Sequence, residues 1–172
     1  MSSFMHFKLK QIGVKELNIV LEMFKDAAIR ISKKNIDHWQ YWKNPPQEKV
    51  NWVKEGLINK QFYFIVSIND EVIGMIRVLN KDLLYWGDNE DRARYIHSLT
   101  IKEKFNGLGL GAAVLNEIEK EAINCDYLRL DCDSKNPQLC SYYVNLGFRK
   151  VGEKKLPLSV YNLYEKQINT NL

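Results

Sequence analysis

The chain has 172 residues, enough for one domain, and 45% of them are hydrophobic, enough to bury a core. Its 25 Lys and Arg against 21 Asp and Glu leave a formal net charge of +4, a mildly basic balance that suits an anionic small ligand, with no tight basic block of the kind nucleic acid calls for. MSSFMHFKLK at the start lacks the apolar run of a signal peptide, and no stretch approaches the roughly 18 apolar residues of a membrane span, so neither nucleic acid nor a membrane is an expected partner.

In chain order, FMHFKLK reads as a first strand. Val14 to Lys33 reads as a helix, with Val14, Leu17, Leu21, Phe24, Ala28 and Ile31 at helical spacing. NIDHWQYWKN is an aromatic, polar loop or short helix, and Pro45 and Pro46 open a second helix through Val50, Val53 and Leu57. QFYFIVSIND and EVIGMIRVLN are strands joined by a tight turn at Asn69 and Asp70. LLYWGDNEDR reads as an exposed loop by composition, and ARYIHSLTI as the next strand.

Then come the charged KEKFN and three alternating glycines, Gly107, Gly109 and Gly111, followed by a helix with Leu110, Val114, Ile118 and Ala122 on one face. DYLRLDCD is a strand, and NPQLCSYYVNLG a short helix that Asn136 can cap, with Pro137 at its first position and Gly147 at its end. FRKVGEKK and LSVYNLYEK are the last strands. Antiparallel hairpins thus come first, followed by one βαβ crossover around the glycines. The three cysteines, Cys125, Cys132 and Cys140, have no metal-like spacing; they read as reduced packing residues of a cytoplasmic protein, and no metal is expected.

Glycine weakens a helix by about 1 kcal/mol relative to alanine, so three of them where a helix begins need a reason. One reason is to let a phosphate approach bare backbone N–H groups at a helix N-terminus. A glycine-rich connection without a ligand is the plain alternative. A dinucleotide loop is another: Gly107, Gly109 and Ala112 fit G-x-G-x-x-A, and Asp131 stands 20 residues after Gly111, where such folds place a ribose-binding acid. Against that reading, KEKFN separates the strand from the glycines and antiparallel strands precede the unit. A Walker-type loop fails because no Gly-Lys-Ser/Thr follows.

The same stretch resembles the coenzyme A loop of the GNAT superfamily of N-acetyltransferases, R/Q-x-x-G-x-G/A after a strand ending L-x-V. Leu99-Thr100-Ile101 matches the strand end, and Asn106-Gly107-Leu108-Gly109-Leu110-Gly111 matches the loop. The second family motif, roughly N-x-x-A-x-x-L-Y-x-x-x-G-F, is matched by Asn136, Tyr143 and NLGF ending at Phe148, with Leu139 for the alanine and Tyr142 for the leucine. The resemblance runs from about Phe62 to Glu165. It implies one GNAT domain over 1–172, of α/β (α+β) class: a mixed, mostly antiparallel seven-stranded sheet, about four helices and a splayed central parallel pair. It also implies an acyltransferase that moves the acetyl group of acetyl-CoA to a primary amine of a small molecule in a ternary complex. One departure is Asn106, where the family has Arg or Gln; its short, uncharged side chain shifts the work to backbone N–H groups and the helix dipole, with Lys102 or Lys104 as substitutes for the charge.

By the same resemblance the CoA site comprises Leu99, Thr100, Ile101, Asn106, Gly107, Leu108, Gly109, Leu110, Gly111, Ala112, Asn136 and Tyr143. The strand ending at Ile101 is expected to bulge, so that pantetheine pairs with Leu99 and Ile101 while an N–H near Leu99 faces the thioester oxygen. Tyr143 is the expected general acid. His97, in HSLTI where the arylalkylamine branch reads H-x-L-x-V, is the expected base, on the strand face of Leu99 by alternation. Asp131 is expected to bind a cationic acceptor or orient His97. The acceptor pocket draws on Asp37, His38, Trp39, Gln40, Trp42, Tyr85, Trp86, Asp88, Glu90 and Asp91, with Trp39 and Trp86 as its aromatic walls. The family often forms dimers, which leaves room for a homodimer. Two other functions compete: a non-catalytic CoA-binding or sensor domain of the same fold, and a dinucleotide-dependent oxidoreductase.

Overall fold

The computed structural model describes residues 6–168. The strands are β1 (Phe7–Gln11), β2 (Phe62–Ser67), β3 (Val72–Leu79), β4 (Ala93–Ile101), β5 (Tyr127–Asp133), β6 (Arg149–Leu156) and β7 (Ser159–Gln167). The helices are α1 (Leu17–Ser32), α2 (Gln47–Ile58), α3 (Leu83–Trp86), α4 (Leu110–Glu121) and α5 (Pro137–Asn145). The strands form a seven-stranded sheet in the order β1-β2-β3-β4-β5-β7-β6. β4 and β5 are parallel, pairing Ala93–Ile96 with Tyr127–Leu130, and the flanking pairs are antiparallel. Phe4 and Met5 of the expected first strand lie outside the described residues.

By its contacts the described chain divides into two compact units, one of residues 6–35, 39–77 and 98–113, the other of 36–38, 78–97 and 114–168. In the first, an aromatic core gathers Phe24, Trp42, Phe62 and Phe64 with Val20, Val53, Leu57 and Met75. Trp42 stacks on Phe24 at 4.0 Å, held there by a 3-10 turn over Gln40–Lys43 in the aromatic stretch. Two readings of the first helix change. Its first turn, Val14–Glu16, is a 3-10 turn, and the buried face is Val20, Met23, Phe24, Ala27 and Ala28, with Val14 left 40% exposed. Helical spacing defines a stripe, but only the sheet beneath it decides which of two adjacent stripes is buried.

In the second unit Tyr95, Ile96, Leu128, Leu130, Phe148 and Tyr164 are buried. Along α4 the expected face holds: Leu110, Val114, Ile118 and Ala122 are all buried. The segment after β3 is exposed at Leu83, Leu84, Gly87, Asp88 and Glu90–Arg92, as its composition implies, but it is not all loop. Asp82 caps the one-turn α3 by accepting from the Tyr85 N–H at 3.2 Å; Asp82 is buried, and Tyr85 and Trp86 are half-buried. Composition missed this because α3 is held by tertiary partners rather than by helix propensity.

Candidate active site

The glycine loop lies in the first unit. After a 3-10 turn over Glu103–Phe105, Gly107 and Gly109 adopt left-handed φ of +77° and +71°, which side-chain-bearing residues rarely take. A Cβ at either would meet nothing within 4 Å, so the glycines serve chain direction and open access rather than tight packing within the protein. The N–H of Ala113 donates to the Gly109 carbonyl at 3.1 Å, and by helical geometry the N–H groups ahead of it point out of the helix end. Leu108 is 57% exposed, Leu110 packs inward, and Gly111 and Ala112 form the first turn of α4. The backbone N–H of Asn106 donates to the Glu103 carbonyl at 3.0 Å, which closes the turn before the loop. Lys104 pairs with Glu71 and lies over the Phe105 ring, so it is committed elsewhere than the loop.

The end of β4 is irregular, as a bulge requires. Ser98 has φ +57°, a left-handed residue within a strand, and among the described residues the β4–β5 ladder stops at Ile96–Leu130. Period-two alternation does not carry across Ser98, so sequence spacing does not put His97 and Leu99 on one face. Gly74 of β3 makes room for the distortion: a Cβ there would come within 2.1 Å of the Thr100 carbonyl oxygen. The Thr100 hydroxyl is buried without a hydrogen-bond partner among the described residues. Arg30 of α1 donates from Nη1 to the Ile101 carbonyl at 2.8 Å, and the Lys102 N–H donates to the Ile73 carbonyl at 2.8 Å. Part of the hydrogen-bonding capacity at Ile101 is therefore taken from within the fold. Neither Gly74 nor Arg30 was legible as a site residue in the sequence.

In the second unit His97 lies between two carboxylates. Its Nε2 is 2.7 Å from Asp82 Oδ2, and its Nδ1 is 3.2 Å from Asp131 Oδ2. The first is a short, charge-assisted hydrogen bond; the second is close in distance but not aligned as one. All three side chains are at least nine-tenths buried. Burial pushes the Asp131 carboxyl up to about 6; His97 pulls it down, and Asp82 and Asp133 push it up. The Tyr85 ring centroid is 5.1 Å from that of His97, and Tyr161 meets Tyr85 edge-on at 5.3 Å. The donor atoms lie within 4.8 Å of one another. Because the carboxylates sit at opposite nitrogens of one ring, this geometry suits proton sharing rather than a ligand set for a single ion. It also turns Asp131 toward His97 rather than toward a nucleotide ribose. Asp82 went unnoticed in the sequence; its one signal is an acid placed to cap Leu-Leu-Tyr-Trp.

The helix carrying Tyr143 forms as its sequence dictates. Asn136 accepts from the Leu139 N–H at 3.2 Å, Pro137 fills the first turn, and Gly147 takes φ +92° after its end. Asn136 is thus engaged as a cap. Tyr143 is buried between Tyr142 and Phe148, and burial, with Cys132 and Asp131 nearby, raises its phenol well above the ordinary range. Cys132 and Cys140 bring their sulfurs to 3.0 Å without a disulfide. Burial first, then Cys140, raises the Cys132 thiol, which keeps it protonated and unreactive.

The aromatic walls have structural partners. Trp39 packs edge-on against Phe24 at 5.5 Å, and Trp42 is 3% exposed within the same core. Trp86 stacks 4.7 Å from the Arg129 guanidinium, which also binds Asp91 and Glu165 at 2.8 Å each and Tyr95 Oη at 3.1 Å. Arg129 thereby ties the segment bearing Asp82 to β5 and β7, and Trp86 and Asp91 are spent on that anchor. Burial lowers the His38 pKa, with Asp133 and Asp37 opposing. Glu90 pairs loosely with Lys81 at 3.5 Å, and Asp88 is exposed.

Comparison with known proteins matches residues 31–148 to the acetyltransferase (GNAT) family. An uncharacterised N-acetyltransferase, YesJ of Bacillus subtilis, is 31% identical over 120 residues, covering 66% of this chain and 65% of YesJ, just under two thirds of that relative's length. The fold is shared with a GNAT-family acetyltransferase of Listeria monocytogenes at TM-score 0.76 and 20% identity, covering 97% of this chain and 98% of the other. It is shared also with the spermidine N-acetyltransferase of Vibrio cholerae in complex with CoA and spermine, at TM-score 0.63 and 15% identity, over 94% of this chain and 95% of that one.

Proposed function

The chain belongs to the GNAT family of acetyltransferases, and we propose that it is a single-domain N-acetyltransferase that moves the acetyl group of acetyl-CoA to a primary amine of a small molecule by direct attack in a ternary complex. The observation that carries this reading is the loop 106–111, whose left-handed glycines expose backbone at the start of α4. Such a helix end favours the pyrophosphate of CoA. Leu99, Thr100 and Ile101 would hold the pantetheine arm, with the Ile101 carbonyl already engaged by Arg30. Acetyl-CoA supplies the thioester; the chain supplies binding, an N–H for the developing oxyanion, and groups that handle two protons.

Tyr143 is the proton donor to the departing sulfur in this reading. Its raised phenol stays protonated at any working pH. Full transfer to a thiolate of pKa about 8.5 then runs uphill, so the phenol acts as a hydrogen-bond donor in the transition state. The amine must attack neutral, and the His97–Asp131 pair is the acceptor of the ammonium proton. A buried pair of acids beside the Tyr85 and Tyr161 rings favours a cationic acceptor over a neutral one. The three free cysteines fit the reducing cytoplasm, and among the described residues no helix is long and apolar enough to cross a membrane.

The test is thiol release from acetyl-CoA against a panel of amines. Spermidine and spermine belong in the panel because the Vibrio cholerae neighbour binds spermine. Turnover with at least one amine, and stabilisation by CoA in a thermal melt, are expected. Stabilisation by NAD(P) without stabilisation by CoA refutes the reading. Stabilisation by CoA with no turnover on any amine leaves a CoA sensor. Light scattering on the same sample checks whether the protein is a homodimer.

A further inference from the structure

We propose that Asp82 is a positioning residue for proton removal: its carboxylate fixes His97 as the Nε2–H tautomer, so that His97 Nδ1 and Asp131 accept the acceptor's proton as one unit. This rests on the reading of acetyl transfer above.

The argument starts from the short contact. At 2.7 Å and nine-tenths buried, Asp82 Oδ2 and His97 Nε2 share a proton, and the ionised carboxylate takes the accepting part. Asp82 cannot turn away, because its other oxygen accepts from the Tyr85 N–H and caps α3. The segment is held in turn by the Arg129 anchor through Trp86 and Asp91. With Nε2–H committed to Asp82, Nδ1 keeps its lone pair and lies 3.2 Å from Asp131 Oδ2, off the line of a hydrogen bond. Negative charge on Asp131 beside that lone pair is unfavourable, and a proton on either group relieves it. The pair therefore holds one proton tightly at low pH and, once it has lost it, regains one readily. Its titration belongs to both groups together.

In the step, one N–H bond of the substrate ammonium breaks, its electrons stay on the amine nitrogen, and the proton bonds to Asp131 Oδ2 or His97 Nδ1. The pair carries one more positive charge afterwards, and solvent takes the proton before the next turnover. Asp82 and Asp133 raise the Asp131 carboxyl, while Cys132 and Tyr143 are buried and neutral, and the Tyr85 ring packs on His97. Removing the Asp82 charge weakens the proton's hold, so the acid limb of activity moves to lower pH while the base becomes less effective.

Asp82→Asn tests this, since asparagine still caps a helix. With acetyl-CoA and one accepted amine, kcat/KM is expected to fall about tenfold or more on its plateau, within the range of lost acid–base assistance, and its acid limb to move to lower pH. In the free protein, long-range 15N–1H NMR is expected to find His97 as Nε2–H in the wild type, and in Asp82→Asn a tautomer mixture with a lower titration midpoint. A lowered plateau with an unmoved limb and an unchanged His97 spectrum overturns the proposal. So does an Nδ1–H tautomer in the wild type, which needs no variant at all. If no amine is acetylated, the acetyl-transfer reading fails while the NMR arm still decides the role of Asp82.

Discussion

The glycine loop and the His97 cluster meet opposite demands with opposite materials. The loop offers an anion main-chain N–H groups, and its key residues are those with no side chain. The cluster works through side chains whose main chain is ordinary strand or helix cap. In the loop, then, adding atoms does damage and removing a charge does little. In the cluster, changing one functional atom is enough. The end of β4 combines both features: a left-handed Ser98 and a close approach of Thr100 to Gly74, next to a histidine held by two acids.

The largest expected effect is in the cluster's neighbourhood. Tyr143→Phe removes one oxygen and is expected to lower kcat by about 10²–10⁴-fold with little change in the acetyl-CoA dissociation constant. Steady-state kinetics beside calorimetry check the split, and an unchanged kcat with rate-limiting chemistry would remove the phenol from the mechanism. Next is the cost of burying Asp131. Its carboxyl titrates near 6 in the folded chain and near 3.8 when unfolded. Between those values the folded state binds more protons than the unfolded one, so stability falls as pH rises from about 4 through about 6. Asp131→Asn is therefore expected to stabilise the protein at pH 7 by up to about 3 kcal/mol while impairing turnover, and urea melts at pH 4 and pH 7 check it.

On the backbone side, Gly74→Ala puts a methyl 2.1 Å from the Thr100 carbonyl oxygen, and about 1–3 kcal/mol of destabilisation is expected in denaturant unfolding. Gly109→Val leaves the fold nearly unstressed by contacts, since nothing lies within 4 Å, but strains the φ of +71°. That strain is expected to cost about 1–3 kcal/mol of stability in denaturant unfolding, and CoA binding is expected to weaken because the branched side chain blocks the pyrophosphate's approach to the loop N–H groups. The smallest effect is assigned to Lys104→Ala. Lys104 is exposed and paired with Glu71, so CoA affinity is expected to stay within about threefold, as for other surface ion pairs. A large loss there would mean that the loop uses side-chain charge after all.

By itself the sequence determined the order of the seven strands and the four longer helices, the run of glycines before α4, the Asn136–Pro137 helix start and the family motifs. Each of these is a local property: a period, a cap or a φ preference depends on neighbours in the chain. Only the tertiary structure decided which acid reaches His97. Asp82 and Asp131 lie 15 residues before it and 34 after it, and their charges meet at one ring because α3 and β5 bring them there. The same holds for Trp86, which the family resemblance offers as a substrate wall and which also stacks on Arg129, 43 residues away. Gly74 and Arg30 belong with these, since a close approach between strands and a guanidinium on a distant carbonyl leave no trace in local sequence. Burial raises the affinity of Asp131 for a proton, and no spacing of residues encodes burial; it arises only when the sheet and its helices exclude water from that spot.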